Sequence, residues 1–199
     1  TSAMNDKSPS SNDNARPDAR LPDLTLVLGG ARSGKSVHAE TLIATHLDAD
    51  TATHRATYIA TAASGDGEMA QRIADHRARR GDQWRTTETL LALGDAIVDG
   101  TKRGEPVLVD CLTLWLSNVM HAGLDVNAET ASLRDALDRA QGPVVCVSNE
   151  VGLGIVPATK LGRDFRDAAG RLNQHIAAQA DRVDFVAAGL PLTLKNETS

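Results

Sequence analysis

The sequence predicts a three-layer α/β domain, doubly wound, with a mostly parallel sheet and helices on both faces. Two observations carry that expectation. Short, fully apolar runs recur between stretches of helical periodicity, the pattern of strands buried on both faces. The first of these runs, Leu24 to Leu28, ends in Gly29-Gly30 and is followed at once by a helical stretch.

Taken in order, the elements are these. Residues 1–22 are polar, rich in Ser, Asn, Asp and Pro, and nearly devoid of large apolar side chains. Such a segment cannot bury enough surface to offset its ordering entropy and is expected to be a disordered tail, leaving 23–199 as a single domain. After the strand at Leu24 to Leu28 comes a helix over about 35–47, then a strand at Ala56 to Thr61. A Gly/Asp turn leads to a helix over about 68–80, on which Met69, Arg72, Ile73 and His76 fall at helical spacing. Trp84 to Thr87 reads as a short extended piece before an apolar helix from about Leu90 to Val98. Pro106 to Cys111 is a strand carrying Asp110 at its end. Helices follow at about 114–121 and 128–141, and Pro143 to Ser148 is another apolar strand. Asn149 to Lys160 is a loop punctuated by Gly and Pro, leading into a helix over about 163–181. Val183 to Ala188 forms a last strand, with a hairpin partner at Pro191 to Leu194.

Composition narrows the function. At 199 residues the chain suits one domain, and no apolar run is long enough to span a bilayer. The absence of an apolar leader-like segment predicts a chain that stays in the cytoplasm. Net charge is −5 with acids and bases interspersed, and only 3% of residues are aromatic. That excludes the basic, base-stacking surface of a nucleic-acid binder and favours a small polar substrate. The two cysteines, Cys111 and Cys146, each lie in apolar runs and read as buried hydrophobes of a reducing compartment.

The chemistry concentrates at Gly29-Gly30-Ala31-Arg32-Ser33-Gly34-Lys35-Ser36, a full match to G-x-x-x-x-G-K-[ST]. Glycines let consecutive backbone N–H groups turn inward on phosphate oxygens, and the helix that follows adds its positive end. Lys35 reaches the β- and γ-phosphates, and the Ser36 hydroxyl can hold Mg²⁺. The fold this implies is the P-loop NTPase fold of RecA-like type. Asp110, after three apolar residues at a strand's C-terminal end, is the candidate acid for the same metal; Glu150 is the alternative. Ser148-Asn149-Glu150 does not supply the Asn-Lys-x-Asp of a regulatory GTPase.

Beyond the cradle, several blocks recur in a telling order: Ala39-Glu40; Tyr58 to Ala62; Glu68-Met69; Arg72-Ile73 leading to His76; Trp84-Arg85-Thr86; Ser148 to Pro157; and Phe165 to Gln174. Together they resemble the bifunctional adenosylcobinamide kinase / adenosylcobinamide-phosphate guanylyltransferase family of cobalamin biosynthesis, from about Leu24 to the last strand. The resemblance implies phosphorylation of the corrinoid's aminopropanol hydroxyl from a nucleoside triphosphate, ATP or GTP. It then implies transfer of GMP from GTP through an enzyme histidine, here His76, to give adenosylcobinamide-GDP. It further implies GTP contacts at Thr61, Ala62, Ala63, Arg77, Ala78, Arg79, Arg80 and Glu88, a corrinoid substrate, and a homotrimer. Read from the residues alone, His76 and the arginines after it are more simply a solvated helix face, and His38, His46, His54, His121 and His175 compete as the histidine. Two other readings compete: a small-molecule P-loop kinase with no covalent nucleotide, and a regulatory module that binds nucleotide without turnover.

Overall fold

A computed structural model describes residues 20–50, 55–62 and 83–197. Seven strands form one sheet: β1 (Leu24–Gly29), β2 (Ala56–Ala60), β3 (Trp84–Glu88), β4 (Val107–Asp110), β5 (Val144–Asn149), β6 (Arg182–Ala187) and β7 (Leu190–Asn196). Their order is β3-β2-β4-β5-β1-β6-β7, and every pairing is parallel except the β6–β7 hairpin. The helices are α1 (Lys35–Ala49), α2 (Leu93–Thr101), α3 (Leu112–His121), α4 (Val126–Asp138) and α5 (Lys160–Gln179).

Strand alternation sorts the apolar residues onto two faces. Val27, Tyr58, Ala60, Leu108, Val145, Val147 and Val186 meet Ala39, Leu42, Ile43 and Leu47 of α1. Leu24, Leu26, Leu28, Ile59, Val107, Val109, Val144, Cys146 and Val183 meet α2, α3, α4 and α5 through Ile97, Trp115, Leu133, Leu172 and Ile176. The three-layer expectation therefore holds, with helices on both faces. Trp115 is core, as is the inner side of Trp84, and both cysteines are buried and unpaired in a disulfide. Burial pushes the Cys111 thiol up to about 11, with the Asp110 charge adding, and pushes Cys146 up to about 12, so neither is a thiolate nucleophile near neutral pH.

Four helices start elsewhere than the periodicity suggests. The α2 helix begins at Leu93 rather than Leu90, because Trp115 Nε1 and Asn118 Nδ2 donate to the carbonyls of Leu91 and Leu90, which are thereby taken from a helical ladder. The α3 helix begins at Leu112, two residues early, so Cys111 precedes a helix instead of ending a strand. Asp125 caps α4 by accepting from the Asn127 and Ala128 amides, and Thr159 caps α5 by accepting from Gly162. Ordered packing also begins inside the expected tail: Leu21 sits against the α1-side core and its N–H donates to His46 Nδ1. The helix expected over 68–80 lies outside the described residues.

One anchor joins α1 to the hairpin. His38 Nε2 donates to Asp184 Oδ2 at 2.8 Å, and Arg182 and Thr193 donate to the same fully buried carboxylate. Burial alone would push this carboxyl up; the hydrogen bonds from His38 and Arg182, with the Arg182 charge, win and hold it at about 2. The contribution is present above the unfolded value of 3.8 and is lost as pH falls through 2. We expect Asp184→Asn to cost on the order of 2 kcal/mol at neutral pH. The gap to wild type should close between about pH 4 and 2, read as urea midpoints along a pH series.

Candidate functional site

The cradle grows out of the C-terminal end of β1. Gly29 has to be glycine, since a Cβ there would lie 2.5 Å from both Ser33 Oγ and the Val186 carbonyl oxygen. The chain then turns through Arg32 (φ 57°) and Gly34 (φ 95°) and enters α1 at Lys35. Positive φ at these two residues turns the chain tightly, the conformation in which a loop can present amides to an anion, and Gly34 stands at the N-cap with no side chain over the helix end. The loop is closed by the Ser33 N–H to Gly30 carbonyl bond at 3.2 Å. It is braced from outside by the hairpin turn at Ala188-Gly189, whose Gly189 N–H donates to the Ser33 carbonyl at 2.7 Å. A Cβ on Gly34 would come within 3.1 Å of Gly189 Cα, so turn and cradle are in direct contact.

Lys35 is almost fully buried, and its ammonium donates to the Gly30 carbonyl at 3.0 Å, folded back across the loop. Ser36, half-buried one residue further on, keeps its hydroxyl without a partner among the described residues. Asp110 ends β4 on the α1 face. Its Oδ2 accepts the Tyr58 hydroxyl at 2.7 Å, and its other oxygen takes no hydrogen bond from a described residue. A serine hydroxyl and an open carboxylate oxygen are the hard donors that suit Mg²⁺, whose remaining positions water and phosphate would fill. The alternative acid, Glu150, instead accepts the Gly152 N–H and braces its own loop.

Beside Asp110 runs β5. The Glu150 N–H donates to the Gly29 carbonyl, tying β5 to the root of the cradle. On the opposite face a buried polar cluster fixes the β5 end: Ser148 Oγ donates to Asn173 Oδ1, and Thr113 Oγ1 lies 3.2 Å from Ser148 Oγ. The Asn149 N–H donates to Thr113 Oγ1, and Asn173 Nδ2 donates to the Asn149 carbonyl. Sequence reasoning left Tyr58, Thr113 and Asn173 out of the site. Each is a polar group buried inside a strand or helix, and its partner comes from another element.

The remaining expected site residues distribute as follows. Thr61 is fully buried and its hydroxyl is committed to Cys111, accepting from the Cys111 N–H and donating to its carbonyl. Ala62 is half-buried at the C-terminal end of β2. Glu88 is exposed at the end of β3, the sheet edge four strand steps from β1, on the order of 20 Å from the cradle at ~4.8 Å per step. The structure thus brings Gly29 to Ser36 together with Asp110, sets Thr61 and Ala62 one strand further on, and leaves Glu88 at the rim. His76, Arg77, Ala78, Arg79, Arg80 and Ala63 lie outside the described residues. Among the described residues, no three His, Cys, Asp or Glu side chains cluster as a metal site of their own.

A parallel sheet with its phosphate cradle between β1 and α1, and a strand-end carboxylate on the same face, defines a P-loop nucleotide-binding protein of RecA-like fold. The flagellar accessory protein FlaH of Methanocaldococcus jannaschii shares that fold, with a TM-score of 0.53 at 14% identity over 90% of this chain and 83% of that one. The chain belongs to the cobinamide kinase / cobinamide phosphate guanyltransferase family, which matches residues 25–194. It is 48% identical to the bifunctional adenosylcobalamin biosynthesis protein CobP of Pseudomonas aeruginosa, over 86% of this chain and 97% of that protein. It is 40% identical to the protein of the same description, CobU, of Escherichia coli, over 86% and 99%.

Proposed function

We propose that the chain phosphorylates adenosylcobinamide from a nucleoside triphosphate and then transfers GMP from GTP to the product, giving adenosylcobinamide-GDP. The observation that carries this is an intact cradle sharing one sheet face with Asp110, in a chain matched to the family over nearly its whole described length. Lys35 turns from the Gly30 carbonyl to the β- and γ-phosphate oxygens, and loop amides other than that of Ser33 share their charge. Ser36 and Asp110 would hold Mg²⁺, which when bound would neutralise charge on those oxygens.

For the second reaction, His76 is the nucleophile. An imidazole nitrogen bonds to the α-phosphorus of GTP as the bond to the bridging oxygen breaks and pyrophosphate leaves. A phosphate oxygen of the corrinoid then bonds to the same phosphorus, and the N–P bond breaks to free the imidazole. Arg77, Arg79 and Arg80 supply charge for the transferred group, and the Thr61–Ala63 segment and Glu88 border the guanosine. The test is labelling with Mg²⁺ and GTP carrying label at the α- or the γ-phosphate, quenched in alkali, where a histidine phosphoramidate survives. Label retained from α and not from γ supports the reading. No α-label while GTP binds would leave a plain kinase or a non-catalytic nucleotide binder.

The assembly we propose is a homotrimer. Support comes from the hairpin's outer strand, where Leu190, Leu192 and Leu194 fall on one face at 72%, 61% and 59% exposure, an apolar stripe on a sheet edge. Leu192→Glu should shift the mass measured by light scattering from three chains toward one. An unchanged mass would remove the stripe from the interface. Among the described residues no helix is long and apolar enough to cross a membrane.

A further inference from the structure

We propose that the side-chain amide of Asn149 binds the terminal phosphoryl group of the nucleotide and holds it for transfer; this rests on the kinase half of the reading above. Asn149 is the last residue of β5, which lies between β1 with its cradle and β4 with Asp110. In register it pairs with Gly29 on one side, and it stands two residues beyond Val147, the partner of Asp110, on the other. Alternation along β5 puts Val145, Val147 and then Asn149 on the α1 face, the face that carries Asp110 and the N-terminus of α1.

The rest of the residue is immobilised. Its N–H donates to Thr113 Oγ1 at 2.7 Å, its carbonyl accepts from Asn173 Nδ2 at 3.2 Å, and the next N–H donates to Gly29. Those contacts come from the opposite face and the neighbouring strand, and the cluster that makes them is buried. The half-buried side-chain amide itself has no hydrogen-bond partner among the described residues. A donor on a rigid backbone, without a partner among the described residues, between a phosphate cradle and a metal-type carboxylate, is preorganised for an anionic oxygen. The ligand chemistry is the γ-phosphoryl oxygen of a nucleoside triphosphate. The Nδ2–H donates to it while the acceptor hydroxyl oxygen bonds to the γ-phosphorus, the bond to the β–γ bridging oxygen breaks, and the nucleoside diphosphate leaves. The hydroxyl proton passes to water.

The test compares binding of GTP and GDP, each with Mg²⁺ and without corrinoid, by calorimetry on wild type, Asn149→Ala and Asn149→Asp. Loss of a γ-specific donor should lower GTP affinity several-fold and leave GDP affinity unchanged. Asn149→Asp, which keeps shape but sets a negative charge against the γ-phosphate, should lose more. In turnover, Asn149→Ala should reduce kcat for cobinamide phosphorylation on the order of tenfold or more. An unchanged GTP/GDP ratio in both variants overturns the proposal, as does an equal loss of both nucleotides, which would mark a purely structural residue. If Asn149→Ala fails to fold, Asn149→Asp carries the comparison by itself. Failure of wild type to phosphorylate cobinamide would count against the kinase reading, while the GTP/GDP ratio would still report on Asn149.

Discussion

Lys35→Ala should abolish both transfers: phosphorylation of cobinamide and formation of the α-labelled enzyme are each expected to fall by about a thousandfold or more. The ammonium is a buried side-chain cation of the cradle, and both reactions are expected to build negative charge on a polyphosphate leaving group there. Folding should survive the change. Lys35 is almost completely buried, with the Gly30 carbonyl at 3.0 Å, and removing it also removes the cost of burying a charge. A melting temperature close to wild type, beside lost activity in both assays, is the expected pair of results. Retention of either reaction at more than a tenth of its rate would show that the cradle serves only the other.

His76→Ala should separate the two reactions. With no imidazole to accept the nucleotidyl group, α-label on the enzyme and adenosylcobinamide-GDP should both vanish, while phosphorylation stays within about threefold of wild type, since the γ-phosphoryl passes directly to the acceptor without a covalent enzyme species. Products resolved by mass spectrometry read both outcomes in one incubation. If adenosylcobinamide-GDP continued to accumulate at the wild-type rate, the nucleophile would have to be another group, and the resemblance would have misassigned it.

How much of this was legible in the chain follows from how local each feature is. The cradle was, because strand, loop, cation and helix are contiguous from Leu24 onward and each position has its own chemical reason. The place of Asp110 was, because a carboxylate that follows three apolar residues falls at the C-terminal end of a buried strand. Tyr58, the partner of Asp110, was not: the pairing depends on β2 lying next to β4, and strand order cannot be read from periodicity. The same holds for Thr113, Ser148 and Asn173, which reach one buried cluster from α3, β5 and α5. Helix starts were misjudged where side chains from elsewhere took the first carbonyls, as Trp115 and Asn118 do at Leu91 and Leu90. Thr61 illustrates the opposite case, a residue matched to a nucleotide contact whose hydroxyl is occupied by Cys111.

The contact between the hairpin turn and the cradle has a further meaning. The motif occupies eight consecutive residues, yet its curvature is set from the far end of the chain, where Gly189 grips the Ser33 carbonyl and Asp184 holds His38 one turn into α1. Grafting residues 29–36 onto another strand and helix would transfer the letters without the clamp. The phosphate site is in that sense completed only when the last two strands have been synthesised and folded back, which makes nucleotide binding a report on whether the whole sheet has closed.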